Sequence, residues 1–378
     1  MMGKKKIIFI AKTNLNNDGR ILNELKILKN KFKDRLWIEF ILMPDKRLHI
    51  SVEEIDRLHI INTAFRGSAI LRFITVFEFT LKAFIKLIKL KPDLIHAQDT
   101  AITIPVYLYK LIKGRGVKVI YDDHELPNEK ESLQLRLLQF FENLLMKKAD
   151  FVLFANKERK DYLMQHTDIN LTNSDYLLNL PYFEDETDHP VGESTKGLID
   201  ILNKLHKDGY GIIIHQGSLE KERGRQKLAE FSRLLPSNVR ILIIGVKEKA
   251  FSDFTQEYNL NETNFVFGGY VEYYHLNKIW QLVDASIVMY LPTFINNRLC
   301  APNRFYIAVN NQIPVLVNKD NPVLNNFVNK YKAGFFIEDM KNETDIMDVL
   351  NYSYSQNLMK NLIIEESEKL TNIYENML

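Results

Sequence analysis

The sequence predicts an α/β protein made of two domains, each a parallel sheet with crossover helices. Three observations carry that expectation. Short apolar runs of strand length alternate with segments whose apolar residues recur at helical spacing, the wiring of strand–helix–strand units. The chain has 378 residues, more than one hydrophobic core comfortably holds. The second half runs through the same alternation as the first without repeating its residues.

Composition narrows the class. Hydrophobic residues make up 46% and charged residues 26%, averages of soluble globular chains, which argues against a disordered chain or a membrane bundle. A net charge of +2 over this length leaves no electrostatic footprint for nucleic acid, so no nucleic-acid partner is expected. Cys300 is the single cysteine; an internal disulfide framework and a cysteine zinc site are excluded, and a reducing, cytoplasmic setting is expected. The opening Met-Met-Gly-Lys-Lys-Lys has a basic flank, but the apolar run behind it is short and no small-residue cleavage site follows, so it reads as the approach to a first strand.

In the first half, Ile7 to Ala11 reads as a strand, and Ile21, Leu22, Leu25 and Leu28 mark the helix after it. The polar connection Thr13 to Arg20 lies between them, where a doubly wound sheet presents its ligand edge; it lacks the Gly-x-Gly-x-x-Gly spacing of a dinucleotide site. Trp37 to Met43 is a second strand. Residues 71 to 91 form a helix with Lys82, Lys86 and Lys89 on one face and Phe73, Phe77, Leu81, Phe84, Ile85 and Ile88 on the other. Such a helix suits either a membrane surface or a core with a solvated lysine edge, and the core reading is preferred. Arg72, Glu78 and the lysines interrupt the run, so it does not span a bilayer.

Two strand ends follow, Asp93 to Asp99 and Val119 to Pro127, both placing polar residues at the ligand edge. Asp122, Asp123, His124 and Glu125 invite a metal reading, but consecutive residues leaving a strand point in different directions, so no metal is expected. A histidine there also suits a plain hydrogen-bonding or capping role. The half closes near Tyr176 to Pro181, and the stretch from Glu184 through Gly192 to Gly197 has a linker's composition.

The second half begins with Ile212 to Arg223, an apolar run, a glycine turn at Gly217 and a helix carrying Leu228, Phe231, Leu234 and Leu235. Amide groups at a helix start attract anions, and Arg223 adds a forked cation, so this stretch reads as a phosphate cradle; an ordinary connection with a solvated arginine is the alternative. Val239 to Ile244, Asn264 to Gly269, Ala285 to Leu291 and Ile313 to Val317 are further strands. Between the last two lies Asn296 to Tyr306, where Pro302 suits a first helical turn and projects Asn303 and Arg304 beside the same edge as Gly217. A helix over about 353 to 376 ends the pattern.

Taken in order, these stretches resemble a GT-B glycosyltransferase, with most similarity to glycosyltransferase family 4 and related capsular or lipopolysaccharide enzymes. The resemblance rests on Asp18-Gly19-Arg20, Pro92-Asp93-Leu94-Ile95-His96-Ala97-Gln98-Asp99, Tyr121-Asp122-Asp123-His124-Glu125, His215-Gln216-Gly217-Ser218-Leu219 with Arg223-Gly224, Phe267-Gly268-Gly269-Tyr270-Val271, Ala301-Pro302-Asn303-Arg304 and Ile313-Pro314-Val315. It implies two Rossmann-like domains facing across a cleft: residues 1 to 190 for the acceptor, 191 to 352 for the nucleotide sugar, and 353 to 378 as a helix packing back on the first domain. It implies that His124 and Arg223 are catalytic, His124 orienting the transferred sugar and Arg223 neutralising the diphosphate. Gly217, Ser218, Tyr270, Val271, Asn303 and Arg304 would complete the donor site, and Asp18, Gly19, Arg20, Asp99, Asp123 and Glu125 the acceptor side. Retention of configuration without metal or other cofactor, a glycan or lipid-linked acceptor, and work at the inner face of a bacterial membrane on a surface polysaccharide are further implications.

The chain also departs from that pattern. Ser218 replaces the usual arginine of the cradle, Ile307 and Leu299 stand where the pattern has acids, and Gln312 stands where a glycine follows the helix. Isoleucine accepts no hydrogen bond from a ribose, a loss on the order of a few kcal/mol in binding. Two functions therefore stay open, an active glycosyltransferase and a catalytically inactive partner subunit or glycan-binding module. A nucleotide-sugar epimerase of the same architecture fits the Pro302-Asn303-Arg304 stretch less well.

Overall fold

The computed structural model describes residues 4–15, 18–44, 52, 54–64, 72–126, 133–169, 171–180, 191–272, 275–354 and 357–378, with 72, 73, 133 and 134 described by backbone alone. The chain divides into two compact units, Met1–Asn179 together with Ile364–Leu378, and Leu180–Ile363. The first division falls before residue 190, where the sequence reading set it, and the end of the chain belongs to the first unit.

In the first unit the order is β1 (Lys5–Thr13), α1 (Gly19–Phe32), β2 (Leu36–Pro44), β3 (Arg57–Ile60), α2 (Arg72–Leu90), β4 (Leu94–Gln98), α3 (Thr103–Lys113), β5 (Lys118–Asp123), α4 (Leu133–Met146), β6 (Phe151–Phe154), α5 (Lys157–His166) and β7 (Ser174–Tyr176). The strands form one parallel sheet in the order β3-β2-β1-β4-β5-β6-β7. Ile7, Ile8, Phe9 and Ile10 of β1 are wholly buried, because a central parallel strand is covered on both faces and reads as a continuous apolar run. Asp18 caps α1 by accepting from the Ile21 amide, and Ile21, Leu22, Leu25 and Leu28 turn inward.

Helix α2 corrects the preferred core reading. Phe79, Ala83 and Leu87 face the core, whereas Phe77 is 70%, Leu81 48% and Ile85 43% exposed. The helix has apolar residues on nearly every side, so periodicity alone cannot say which stripe the sheet takes.

The second unit runs α6 (Glu193–Lys207), β8 (Gly211–Gln216), α7 (Arg225–Ser232), β9 (Val239–Ile244), α8 (Glu248–Glu257), β10 (Phe265–Gly269), α9 (Leu276–Trp280), β11 (Ala285–Val288), α10 (Ile295–Arg298), α11 (Asn303–Asn310), β12 (Val315–Val317), α12 (Pro322–Tyr331), β13 (Gly334–Phe336) and α13 (Glu343–Leu350). The chain returns to the first unit within α14 (Leu358–Met377). The sheet is parallel, β10-β9-β8-β11-β12-β13. The expected linker at 192 to 197 is instead the start of α6: Thr195, Leu198 and Leu202 are buried at helical spacing, and that burial outweighs the roughly 1 kcal/mol helix penalty of Gly197. The rest of the expected linker, residues 184 to 190, lies outside the described residues.

Strand order reverses between β1 and β4 in one sheet and between β8 and β11 in the other. At such a switch point neighbouring connections diverge and leave a crevice at the carboxyl edge, which is where ligands of doubly wound sheets bind.

Candidate functional site

At the first unit's switch point, Asp18 accepts from the Thr13 hydroxyl at 2.7 Å while capping α1, and this aims Arg20, on the first turn, beneath the sheet edge. The guanidinium grips Asp122 at the end of β5 with two bonds, Nε to Oδ2 at 2.9 Å and Nη2 to Oδ1 at 2.8 Å, and donates through Nη1 to the Leu177 carbonyl at 2.6 Å. Glu24, one turn further along α1, lies 3.3 Å away. All three side chains are buried. Burial alone would raise the Asp122 carboxyl, but Arg20 and His124 outweigh it and hold Asp122 well below its ordinary range. Glu24 goes the other way: burial and the Asp122 charge push it well above its usual value.

His124 follows on the same side as Asp122, two residues on, as the strand period requires. Its Nε2 lies 2.9 Å from Asp122 Oδ2 and its Nδ1 3.5 Å from Asp99 Oδ1. Burial opposes its charge, yet the two carboxylates prevail and its pKa is pushed up to about 10. It is therefore an imidazolium with two N–H donors at neutral pH, a hydrogen-bond donor and not a base. Arg159 donates to the His124 carbonyl and fixes this turn. Asp99 takes a backbone conformation of φ 68° and ψ 164°, a region essentially reserved for glycine that costs on the order of 1–3 kcal/mol. Desolvation pushes its carboxyl up to about 6 against His124, although 35% of the side chain is open and solvent screens part of that push.

The structure thus brings Arg20, His124 and Asp99 together, with Asp18 bracing the loop and Gly19 buried in the helix start. It does not bring Asp123 there. One residue along the strand, Asp123 points to the opposite face with Tyr121, whose hydroxyl donates to Glu142, and burial and the Glu142 charge raise its pKa well above the carboxylate range. Glu125 is exposed. Sequence reasoning left Asp122 out of the site, although its two-residue offset from His124 was a usable signal. Glu24 and Tyr374 carried no signal, and His96, quoted in the Pro92 to Asp99 motif, was given no role: its Nδ1 pairs with the Tyr374 hydroxyl at 2.7 Å, from a residue far along the chain.

Among the described residues one trio, Glu24, His96 and Asp122, has ligand atoms within 4.8 Å of one another. Arg20 already lies against both carboxylates, and Glu24 is biased toward its neutral form, so the positive charge a cation would bring is supplied by the protein.

The second switch point is built differently. Strand β8 ends at Gln216, and Gly217 turns at φ 114°; an added Cβ would lie 2.6 Å from Arg304 Nη1. The Gly217 amide donates to the Ile244 carbonyl at 2.9 Å, so the cradle lacks that expected donor; the Ser218 amide makes no hydrogen bond among the described residues. The helix opens later than expected, through a short turn at Lys221–Arg223 and Gly224, with α7 from Arg225. A side chain at Gly224 would strike Met289, whose sulfur lies 2.6 Å from the Cβ position.

Arg223 stacks on Tyr290, its guanidinium carbon 3.5 Å from the ring centroid, and its Nη1 is buried with no partner. Tyr290 is held by Asn318, which accepts from its amide and donates to its carbonyl, each at 2.9 Å. Arg304, at the second position of α11, does not project: buried, it donates to the Gln216 and Met289 carbonyls and braces the turn from behind. Asn303 Oδ1 and His215 Nδ1 are also buried without partners. Burial and then Arg304 lower His215 to about 3, so this ring is neutral. Among the described residues neither Arg223 nor Arg304 is ion-paired to a carboxylate. Tyr270 follows β10 with 66% exposure, Val271 is half-buried beside it, and Ile307 and Leu299 are buried. Tyr290, read from sequence as part of the strand Ala285 to Leu291, was missed as a site residue; β11 ends at Val288 and leaves it just past the strand.

No family model and no curated protein sequence matches the chain. Solved structures do. The apo lipopolysaccharide outer core galactosyltransferase WaaB superposes with a TM-score of 0.65 at 13% identity, covering 99% of this chain and 100% of its own. HepE of Anabaena, in complex with UDP-glucose, gives 0.65 at 12% identity over 98% and 99%. TarM of S. aureus, in complex with Fondaparinux, alpha-GlcNAc-glycerol and UDP, gives 0.61 at 10% identity over 99% of each chain. At these identities the likeness is one of fold, and the fold is the two-domain α/β GT-B architecture of glycosyltransferases.

Proposed function

We propose that this protein is a glycosyltransferase that moves a sugar from a nucleotide-sugar donor to a glycan or lipid-linked acceptor, with the donor diphosphate held in the second unit and the acceptor in the first. The observation that carries the reading is Arg223: a guanidinium stacked on Tyr290 beside a glycine turn, with a buried Nη1 that no protein group satisfies. A buried charged donor left unpaired costs about 1–3 kcal/mol or more, and a phosphate oxygen recovers it in a forked, charge-assisted geometry. The neighbours support the same chemistry, since HepE is seen with UDP-glucose and TarM with UDP.

Mechanistically, a leaving nucleoside diphosphate gains negative charge as the glycosidic bond breaks, so a cation fixed beforehand stabilises the transition state more than the ground state. Arg223 supplies it, and the Ser218 amide adds a neutral donor. Arg304 keeps the Gly217 turn in shape. In the first unit, His124 keeps Nε2–H on Asp122 and serves as a hydrogen-bond donor to a sugar hydroxyl through Nδ1–H, whose contact with Asp99 is an ion pair at 3.5 Å, a role that needs no proton transfer. We read the reaction as retaining and metal-independent, in the synthesis of a bacterial surface polysaccharide.

The buried Ile307 and Leu299 favour a second reading, an inactive partner subunit or glycan-binding module, because neither can hold a ribose. Asn303 Oδ1, a buried acceptor with no partner, offers the first reading a substitute. Thermal-shift screening against UDP-, GDP-, dTDP- and CMP-sugars separates them. The active reading expects one nucleotide class to raise the melting temperature and, with acceptor glycans, to be consumed with release of its diphosphate. Stabilisation without release supports the second reading; no stabilisation by any donor of a folded protein overturns the first.

A further inference from the structure

The last helix closes on the first crevice at two places. Glu366 and Tyr374 lie about two turns apart on one face of α14, and both are buried. Glu366 Oε2 accepts from the Leu178 amide at 2.7 Å, beside the Leu177 carbonyl that takes Arg20 Nη1. The Tyr374 hydroxyl lies 2.7 Å from His96 Nδ1 on β4.

Proton counting settles the direction of that second bond. Burial, and then the Glu24 and Asp122 charges, hold the Tyr374 hydroxyl well above its ordinary value, so it keeps its proton. Among the described residues that hydroxyl has no other partner, and it has one proton to give, so it donates to Nδ1. Burial lowers the His96 pKa; the ring is neutral at neutral pH and carries its own proton on Nε2. That Nε2–H faces Glu24 at 3.8 Å and Asp122 at 3.7 Å, beyond hydrogen-bond reach, and has no partner.

The Asp122 oxygen it faces is already filled. Oδ2 accepts from Arg20 Nε and pairs with His124 Nε2, each at 2.9 Å, and a carboxylate oxygen offers about two acceptor sites. His96 is a third donor held short of the same atom. Phe9, its ring centroid 4.7 Å away, covers the imidazole without anchoring it, and among the described residues Tyr374 is its one hydrogen-bonded tether. The charged and titratable groups around His96 are Arg20 and Glu24 of α1, Asp122 and His124 at and just past the end of β5, and Tyr374 of α14.

We propose that Tyr374 is a positioning residue of the first crevice: by donating to Nδ1 it holds His96 back from Asp122 Oδ2 and leaves that oxygen to Arg20 and His124. Without the hydroxyl, Nδ1 is a buried acceptor with no donor, and Nε2–H is free to close on Asp122 in competition with His124. The end of the chain thereby takes part in keeping His124 charged. The consequence for sugar transfer rests on the donor role proposed for His124.

Titration of the full chain, isotope-labelled in its histidine rings and followed by NMR, tests this without any sugar nucleotide, so its failure and failure of the transferase reading are separate results. Loss of one resonance in His96→Gln and in His124→Gln assigns the two rings. In the parent chain His96 should carry its proton on Nε2 with Nδ1 bare; the opposite tautomer overturns the proposal before any variant at Tyr374 is made. Tyr374→Phe removes one oxygen and keeps the ring. It should move the His124 titration down by about one pH unit or more and that of His96 up. Leu370→Val, at a buried position of the same helix, should lower the melting temperature and leave both rings titrating as in the parent. A His124 titration unchanged by Tyr374→Phe overturns the proposal. So does an equal shift in Leu370→Val, which assigns the effect to helix packing.

Discussion

The two switch points occupy equivalent places in their sheets and are opposite in electrostatic design. In the first, Arg20 has its carboxylate, His124 lies between Asp122 and Asp99, and the charges close on one another. In the second, Arg223 lies on an aromatic ring with an unsatisfied nitrogen, and Arg304 turns Nη1 and Nη2 to backbone carbonyls while its buried Nε has no partner. The two histidines repeat the contrast: carboxylates hold His124 charged, whereas burial and Arg304 hold His215 neutral. One crevice pairs its cations with carboxylates; in the other, among the described residues, neither arginine meets a carboxylate. A parallel sheet positions side chains at its carboxyl edge in the same way each time, and the residues alone decide whether the edge is a finished network or an anion site.

The strongest test of the first half of that contrast is Arg20→Ala. Removing the cation strips buried Asp122 of its two-bond partner and leaves His124 alone to face it, and an expected loss of about 3–5 kcal/mol should appear in chemical denaturation. A loss below about 1 kcal/mol, the range of an exposed pair, would show that the network is not closed.

The histidines sharpen it further through pH. The His124 pKa is raised from 6.5 to about 10, so its stabilisation is fully present below pH 6.5 and is lost as pH rises toward 10. His215 is lowered from 6.5 to about 3, so stability falls as pH drops through that window, where the ring must be protonated beside Arg304. The His124→Gln variant should therefore flatten the alkaline limb of a melting-temperature profile, by the equivalent of a few kcal/mol at most, and leave the acid limb in place. An unchanged alkaline limb would mean that the imidazolium is not there.

Much of the frame was legible in the residues. The central strands announce themselves because burial on both faces demands unbroken apolar runs: Ile7 to Ala11 lies in β1, Val239 to Ile244 is β9, and Leu94 to Ala97 lies in β4. The edge strands β3, β7 and β13 were not read, since runs of three or four residues are too short to show a period. For the sites, the turn glycines and Arg223 were visible locally. The closed network was not, because Arg20 and Asp122 are 102 residues apart and only the parallel order of β1, β4 and β5 brings them together.

Gln312 shows the converse. The resemblance puts a glycine there, and the structure gives the reason: the residue has φ 58°, which a glutamine adopts only under strain. The backbone kept the turn although the residue changed. The departures at 299 and 307 differ, because there the side chains changed along with what they can bind, and both now lie in the core.

The central claim is that the anion site is the second crevice and not the first. Calorimetric titration of uridine and guanosine diphosphates into the parent chain, Arg223→Ala and His124→Gln tests it most directly. Loss of a charge-assisted contact is worth about 1.5–3 kcal/mol, so Arg223→Ala should weaken the better-bound diphosphate by about ten- to a hundredfold, while His124→Gln leaves its affinity unchanged. Binding that survives Arg223→Ala and is lost with His124→Gln would reverse the assignment.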